Sequence, residues 1–457
     1  VAQSLPRPQV VVAGASSSVG KHLLQPLSNL YDVTALSRSG LNRGNIPHLT
    51  WRSCDLFSVK DAERSLQNAD YAVYLVHSRN SNATLTQARY EDMDLILADN
   101  FARAAKKHHV KQIIYLIEHI PESPAKQRRY EKSRLEVEQV LRAYGTPVTT
   151  IRTEAIIGRQ SALMSTVEHW IQSRPFILLP STTETYGCPV TMDEVIHTIL
   201  ASLGSKDMFS KNVQLTGSEA ITYRELILRT AASMKVNKYW ISLPIRMAKR
   251  WGSSQSLTTP LLSSHEQVEK NVPLNEAIRQ ATVKTTGNAI AKPGHRHTPS
   301  VRSVQRVPFS HHCQASGIAH DYMHWLARVG RPLLRTQAEG NKYAIYGIGI
   351  KEPLLTLTFC AEWSTPTRAL YTISGGLFAA VDQHQYGRME FRHIPHSEQG
   401  LIAIHDFQPS LPWTLYKYTQ AKVHLLVMHL FKAHLHKKMT HHSKTRKRPR
   451  PAGLRMS

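Results

Sequence analysis

The sequence predicts an α/β, doubly wound parallel sheet followed by a second, α+β domain built on an antiparallel sheet. Three observations carry this. Short apolar runs alternate with amphipathic helical segments through about residue 160, the grammar changes to period-two alternation after residue 300, and a stretch without acids separates the two regimes. A chain of 457 residues with 41% apolar content is long enough for two or three domains with cores of their own.

In order, PQVVVAGA reads as a buried strand, VGKHLLQPLSNL as a helix, DVTALSR as a strand and VKDAERSLQNA as a helix. DYAVYLVHS, KQIIYLIEHI and PVTTIRTEAIIG are further strands, with EDMDLILADNFARAAKKHH helical between the first two. This is the pattern of βαβ units with helices on both sheet faces. Pro26 predicts a kink or an irregular first turn in the first helix. From about 160 to 280 the pattern is mainly helical, with a strand at NVQLTGS and a helix start at Thr222-Tyr223-Arg224-Glu225.

Residues 281–300 hold two glycines, two prolines and no acid, and read as a linker. Beyond it KYAIYGIGI, LLTLTFCAEWS, ALYTISGGLFAAV, GRMEFRHI and LIAIHDFQ alternate as antiparallel strands, with a bulge expected at Gly375-Gly376 and a long helix from about Leu415 to His436. The expected organisation is therefore 1–280, a linker 281–300, a second domain 301–436, and a basic disordered tail 437–457.

The chain carries 57 Lys and Arg against 33 Asp and Glu, a net charge of +24. That excess divides into equal thirds of +8 over residues 1–280, 281–436 and 437–457, so one third of it sits in the last 21 residues, and the basicity of that tail says little about the folded domains. The tail has no interleaved aromatic, which argues against specific nucleic-acid readout while allowing contact with anionic surfaces. Cys54, Cys188, Cys313 and Cys360 are too widely spaced for a disulfide framework or a metal site. With no spanning segment or leader, a cytoplasmic location is expected.

Within VVVAGASSSVGKHLL, Gly14 ends the first strand and Gly20 falls in the first helical turn. These are the positions at which a Rossmann-type dinucleotide loop needs glycine, for the tight turn and for helix-on-sheet packing. Ser17 stands at the middle position, and Ser16 and Ser17 would offer hydroxyls to phosphate. The second strand ends in Ser37-Arg38 where an NAD site would carry an acid. A hydroxyl and a guanidinium suit a 2′-phosphate, so NADP is favoured over NAD.

These segments, with DLFSVKDAERSLQNADYAVYLVHS, NFARAAKKHHVKQIIYL, GTPVTTIRTEAIIGRQSA and VQLTGSEAITYREL, resemble the atypical short-chain dehydrogenases of bacterial NAD(P)H-binding type, relatives of NmrA and triphenylmethane reductase, over about residues 8–280. The resemblance implies that Gly14, Ser17 and Gly20 hold pyrophosphate and Arg38 the adenosine phosphate. It also implies that Asp55 and Leu56 flank adenine and that Val76, His77 and Ser78 face ribose and nicotinamide.

The best-known members of that superfamily use a tyrosine acid, a lysine four residues later and a serine. Here Tyr130 has Arg134 at the lysine position, and Glu118-His119 follow the strand where the serine would stand. Tyr130 and Arg134 are the candidate catalytic pair in an incomplete tetrad, against a packing role for Tyr130. His77 is weighed as a proton relay against a strand-end cap.

Residues 301–436 resemble a bacterial domain of unknown function appended to such dehydrogenases, which implies a helix-grip, START-like fold with a pocket for an apolar ligand. Sixteen of 25 histidines follow residue 294. His320 and His324 have metal-ligand spacing but read as a solvated helix face without a third ligand, and His405-Asp406 reads as a functional pair or a strand-end hydrogen bond. In the last helix, Val423, Leu426, Val427 and Leu430 are expected to form the buried face. The sequence thus predicts an NADP(H)-dependent oxidoreductase with a small, apolar substrate, or alternatively a non-catalytic NADP(H) sensor or scaffold.

Overall fold

The computed structural model describes residues 6–38, 46–77, 85–119, 124–173, 176–180, 186–243, 273–283, 301–310, 313–380 and 386–446. These divide into two units, one from Val1–His77 and Ile96–Ala291, the other from Ser78–Leu95 and Lys292–Ser457. The segment 85–95 thus groups with the second unit, although the strand-helix alternation continues through it.

The elements, in chain order, are β1 (Gln9–Ala13), α1 (Ser18–Ser28), β2 (Asp32–Ser37), β3 (Leu49–Ser53), α2 (Val59–Leu66), β4 (Tyr71–Tyr74), β5 (Leu85–Gln87), α3 (Tyr90–Lys107), β6 (Gln112–Glu118), α4 (Pro124–Arg142) and β7 (Val148–Thr153). There follow β8 (Ile156–Ile157), α5 (Ala162–Gln172), β9 (Phe176–Pro180), β10 (Tyr186–Gly187), β11 (Val190–Thr191), α6 (Met192–Ser202), β12 (Asn212–Leu215), β13 (Ile221–Thr222), α7 (Tyr223–Ser233), β14 (Tyr239–Leu243) and α8 (Leu274–Thr282).

In the first unit seven parallel strands run in the order β12-β7-β6-β4-β1-β2-β3, the Rossmann arrangement. The apolar run of β1 is buried along nearly its whole length because the sheet is covered on both faces. Leu23 and Leu27 of α1 pack with Val10, Val12, Val33 and Val73 in one core. A second core joins α5, α7 and α8 through Met164, Val167, Leu226 and Ile278. The buried Gln112 is fully used, donating to Thr149 Oγ1 at 2.8 Å and the Ser202 carbonyl at 3.0 Å while accepting from Gly204 N–H at 2.8 Å. Pro26 sits in the last turn of α1, not in an irregular first turn, and there it leaves the His22 carbonyl without its usual i+4 N–H donor.

In the second unit β15 (Val301–Pro308) leads to α9 (Ala315–Val329) and then to a meander of β16 (Leu334–Glu339), β17 (Lys342–Gly347), β18 (Pro353–Phe359), β19 (Arg368–Gly375), β20 (Gly387–His393) and β21 (Gln399–Phe407). β21 returns to pair antiparallel with β15, and β5 adds in parallel on the other side of β15. At the expected bulge the β18–β19 register shifts between Thr356 and Leu357, and Gly376 has φ +111°, where a Cβ would lie 2.6 Å from the Leu354 carbonyl oxygen.

The chain ends in α10 (Trp413–Tyr418) and α11 (Gln420–Arg446). Residues 437–446 of the expected disordered tail therefore continue a helix, while 447–457 lie outside the described residues, as do 284–300 of the expected linker. The face of α11 also differs from the expected one. Ala421, Met428, Phe431 and Leu435 are buried, and Val423, Leu426 and Leu430 are exposed. Apolar residues occupy most of this helix's circumference, so periodicity alone does not choose the buried stripe. At His405-Asp406 the two side chains have different surroundings. His405 is fully buried and held well below the usual histidine range by burial and by Arg302, Arg388 and Arg392, while Asp406 pairs with Arg388 at 2.6 Å and Arg302 at 3.6 Å. His320 and His324 approach to 2.9 Å on an exposed face, and no three-residue metal cluster occurs among the described residues.

Phe431 anchors this core between Tyr322 and Trp325, with ring centroids 5.0 and 5.1 Å away. Phe431→Ala should cost the second unit about 3–5 kcal/mol in urea unfolding followed by tryptophan fluorescence.

Candidate functional site

The strand order reverses between β1 and β4, and in open α/β sheets ligands bind outside the strand ends at that point. The loops after β1 and β4 meet there. Gly14 has φ +84°, and a Cβ on it would lie 2.6 Å from the Leu75 carbonyl oxygen. A Cβ on Gly20 would lie 2.5 Å from the Gly14 carbonyl oxygen. Both positions admit only glycine without backbone movement.

Ser17 is the N-cap of α1, its Oγ accepting from Gly20 N–H at 3.0 Å. Its φ of −67° is an ordinary extended conformation, so a side chain at the middle position carries no backbone strain. Ser18 Oγ donates to the Arg159 carbonyl at 2.8 Å, and Ser16 is exposed on the loop. The positive end of the α1 dipole thus faces the crevice, with hydroxyl-bearing residues around it.

Ser37 is buried at the end of β2 and Arg38 is exposed just beyond it. After β3, Asp55 turns back to accept from Phe57 N–H at 3.1 Å. Asn100 of α3 donates to the Leu56 and Phe57 carbonyls at 2.8 and 3.2 Å, fixing the loop that carries Asp55 and Leu56. Val76 and His77 follow β4, and Ser78 lies outside the described residues.

Tyr130, Arg134 and His77 come together. Arg134 is 2% exposed, its Nη1 donates to His77 Nδ1 at 2.5 Å, and its guanidinium carbon lies 5.3 Å from the Tyr130 ring centroid. Tyr130 itself is buried, and its hydroxyl donates to the Glu118 carbonyl at 3.0 Å. Arg134 therefore braces the loop after β4 against α4, and His77 accepts from it instead of merely capping the strand. Glu118 Oε1 accepts from Ile156 N–H at 3.2 Å, tying the end of β6 to β8.

One acid at the same sheet edge escapes sequence reasoning. PVTTIRTEAIIG reads as one strand but breaks at Glu154-Ala155 into β7 and β8, leaving Glu154 buried past the strand end. Burial pushes its carboxyl from the ordinary 4.5 up to about 7. The available signal was a lone acid inside an apolar run.

With this geometry in hand, comparison with known proteins identifies the class. Residues 14–162 match the NAD(P)H-binding family model, and this N-terminal region is an NAD(P)H-binding domain on a Rossmann fold. It is 34% identical over 145 residues to the auxiliary protein GraX of Staphylococcus aureus, an alignment covering 32% of this chain and 43% of that protein. The chain thus spans less than half the length of this curated relative. Similar solved structures include the Bordetella bronchiseptica enzyme WbmH in complex with NAD+ (13% identity, TM-score 0.45) and the Thermotoga maritima UDP-glucose 4-epimerase with UDP-glucose (14% identity, TM-score 0.46). Each covers 60% of this chain and 97% of the other. Among the described residues, no helix is long and apolar enough to cross a membrane.

The raised Glu154 pKa has a signed consequence for stability. The folded state holds this proton more tightly than the unfolded state, so its contribution is complete below the ordinary 4.5 and is lost as pH rises through about 7. Between about pH 5 and pH 8 the wild type should lose up to roughly 3 kcal/mol relative to Glu154→Gln, measured by urea unfolding at each pH.

Proposed function

We propose that the first unit binds a nicotinamide dinucleotide with NADP(H) preferred, and that the protein is an oxidoreductase of atypical short-chain dehydrogenase type acting on a small, apolar substrate. The observation that carries this reading is the side-chain-free cradle of Gly14 and Gly20 at the strand-order reversal, with exposed Arg38 ending β2 where an NAD site would present an acid.

The α1 N-terminus and its serines would hold the pyrophosphate, and Arg38 with Ser37 the 2′-phosphate. Asp55 and Leu56, on the loop fixed by Asn100, would border adenine, and Val76 and His77, with Ser78 assigned by resemblance, the ribose and nicotinamide. When bound, the cofactor supplies hydride chemistry. In this reading Arg134 positions His77 and packs on Tyr130, whose hydroxyl must leave the Glu118 carbonyl to protonate a substrate. The order of β15, α9, the six strands β16 to β21 and the closing helices α10 and α11 supports reading the second unit as a helix-grip domain that holds an apolar ligand.

A second reading, a non-catalytic NADP(H) sensor or scaffold, draws on that same hydroxyl contact and on the auxiliary designation of the staphylococcal relative. The helical stretch 437–446 is basic, and with the rest of the tail it would contact anionic surfaces without sequence-specific nucleic-acid binding. A cytoplasmic location fits both readings.

In calorimetric titration NADPH should bind more tightly than NADH. Arg38→Ser should weaken NADPH roughly ten- to hundredfold, the loss of one charge-assisted contact, and leave NADH nearly unchanged. If neither nucleotide binds, the reading fails; NADPH oxidation that vanishes in Tyr130→Phe would favour the enzyme over the sensor.

A further inference from the structure

Exposed aliphatic side chains gather at one end of the second unit. The connection from α9 to β16 presents Val329 and Leu333, 52% and 65% exposed, and the β17–β18 hairpin presents Ile348 and Ile350, 65% and 41% exposed. Backbone bonds hold these loops side by side. Ile348 N–H donates to the Leu333 carbonyl at 2.9 Å, and Leu377 N–H, from the turn after β19, donates to the Pro353 carbonyl at 2.9 Å. Leu377 is itself 44% exposed, so the three loops make one apolar surface.

Folding alone does not call for these residues. Ile348 and Ile350 stand at a hairpin tip, where Gly, Asn, Asp and Ser are the ordinary choices, and a Cβ on Gly349 between them would meet nothing within 4 Å, so the tip projects freely. Single exposed leucines are normal on a protein surface, but a contiguous apolar patch marks a place of contact. Among the described residues, every exposed large apolar side chain of the second unit lies on the loops at this end of the sheet or on α10 and α11, which the chain enters from it. The loops of the opposite end, at residues 340–341, 360–367 and 394–398, expose none.

Charge decides which partner fits. Exposed Arg328, Arg331, Arg335 and Lys351 stand on or beside the first two loops, and Glu352 is the one acid there. The Arg335 guanidinium carbon lies 4.9 Å from the Tyr346 ring centroid, beside the hairpin. Past this end, Lys417 and Lys422 flank exposed Tyr418, with Nζ 5.7 and 5.6 Å from its ring centroid. The opposite end presents the acids Glu339, Glu362 and Glu398 with Lys342. A second copy meeting this patch across a two-fold axis would set cations against cations. An anionic bilayer suits both features, because its acyl boundary accepts the aliphatic tips and its headgroups accept the guanidinium and ammonium groups.

We propose that this end of the second unit docks on the surface of an anionic lipid bilayer, with Leu333, Ile348 and Ile350 entering the interface and Arg331 and Lys351 among the groups on the headgroups. The surface shares no residue with the dinucleotide site or with the basic stretch 437–457, so this docking stands or fails apart from both of those readings.

The full chain is co-sedimented with vesicles of phosphatidylcholine alone or mixed equally with phosphatidylserine. It should pellet with the mixed vesicles and stay in solution with the neutral ones. The triple variant Leu333→Ser, Ile348→Ser, Ile350→Ser keeps the basic tail and should bind the mixed vesicles at least about tenfold more weakly, and salt should release what binding remains at a lower concentration than it releases the wild type. All three positions are exposed, so its urea midpoint should match the wild type. Arg331→Glu with Lys351→Glu, which leaves the aliphatic tips in place, should also weaken binding several-fold. Wild-type affinity in the triple variant, equal binding to both kinds of vesicle, or binding to neither overturns the proposal. So does a dimer in sedimentation equilibrium that the triple variant abolishes in a chain that leaves vesicles unbound.

Discussion

The first unit is organised around one close approach of backbone to backbone. The Gly14 turn, the start of α1 at Gly20 and the end of β4 at Leu75 occupy positions that leave no room for a Cβ on either glycine. This approach seats α1 against the sheet, aims its N-terminus into the crevice and brings the loop carrying Val76 and His77 alongside. Dispersion and hydrogen bonding supply stability over the whole sheet, but steric exclusion at these positions decides where a ligand can sit.

Two buried ionisable groups at the same sheet edge show how neighbours change the meaning of burial. Arg134 is almost completely enclosed, yet it donates to His77 and Ser133 Oγ and lies against the Tyr130 ring, so its charge is tolerated and becomes a brace. Glu154 is equally enclosed among apolar walls, and the same desolvation favours its neutral form. Such sites lower stability at neutral pH, a cost that proteins retain where a binding or catalytic group is needed.

Much of the fold was legible in the sequence. The buried strands β1, β4 and β6 are continuous apolar runs, and the antiparallel strands of the second unit alternate as a half-covered sheet requires. β3 escaped because LTWRS is a half-exposed edge strand with little apolar contrast. The face of α11 was misjudged because apolar residues surround it, and only packing on Tyr322 and Trp325 selects Phe431 over Leu430. Asp406 pairs with two arginines because β15 and β20 flank β21, a neighbourhood that local spacing does not encode.

By itself the sequence determined the class of fold, the glycine-bearing loop and the basic end of β2, because each depends on residues close together in the chain. Backbone sterics and periodicity are local, and they are written locally. Only the tertiary structure decided that Arg134 reaches His77 across 57 positions, and that the end of β7 turns Glu154 into a buried acid beside Cys188 and Tyr223. Burial and charge pairing are set by whatever the rest of the chain brings alongside, and desolvation has no signature in a sequence window.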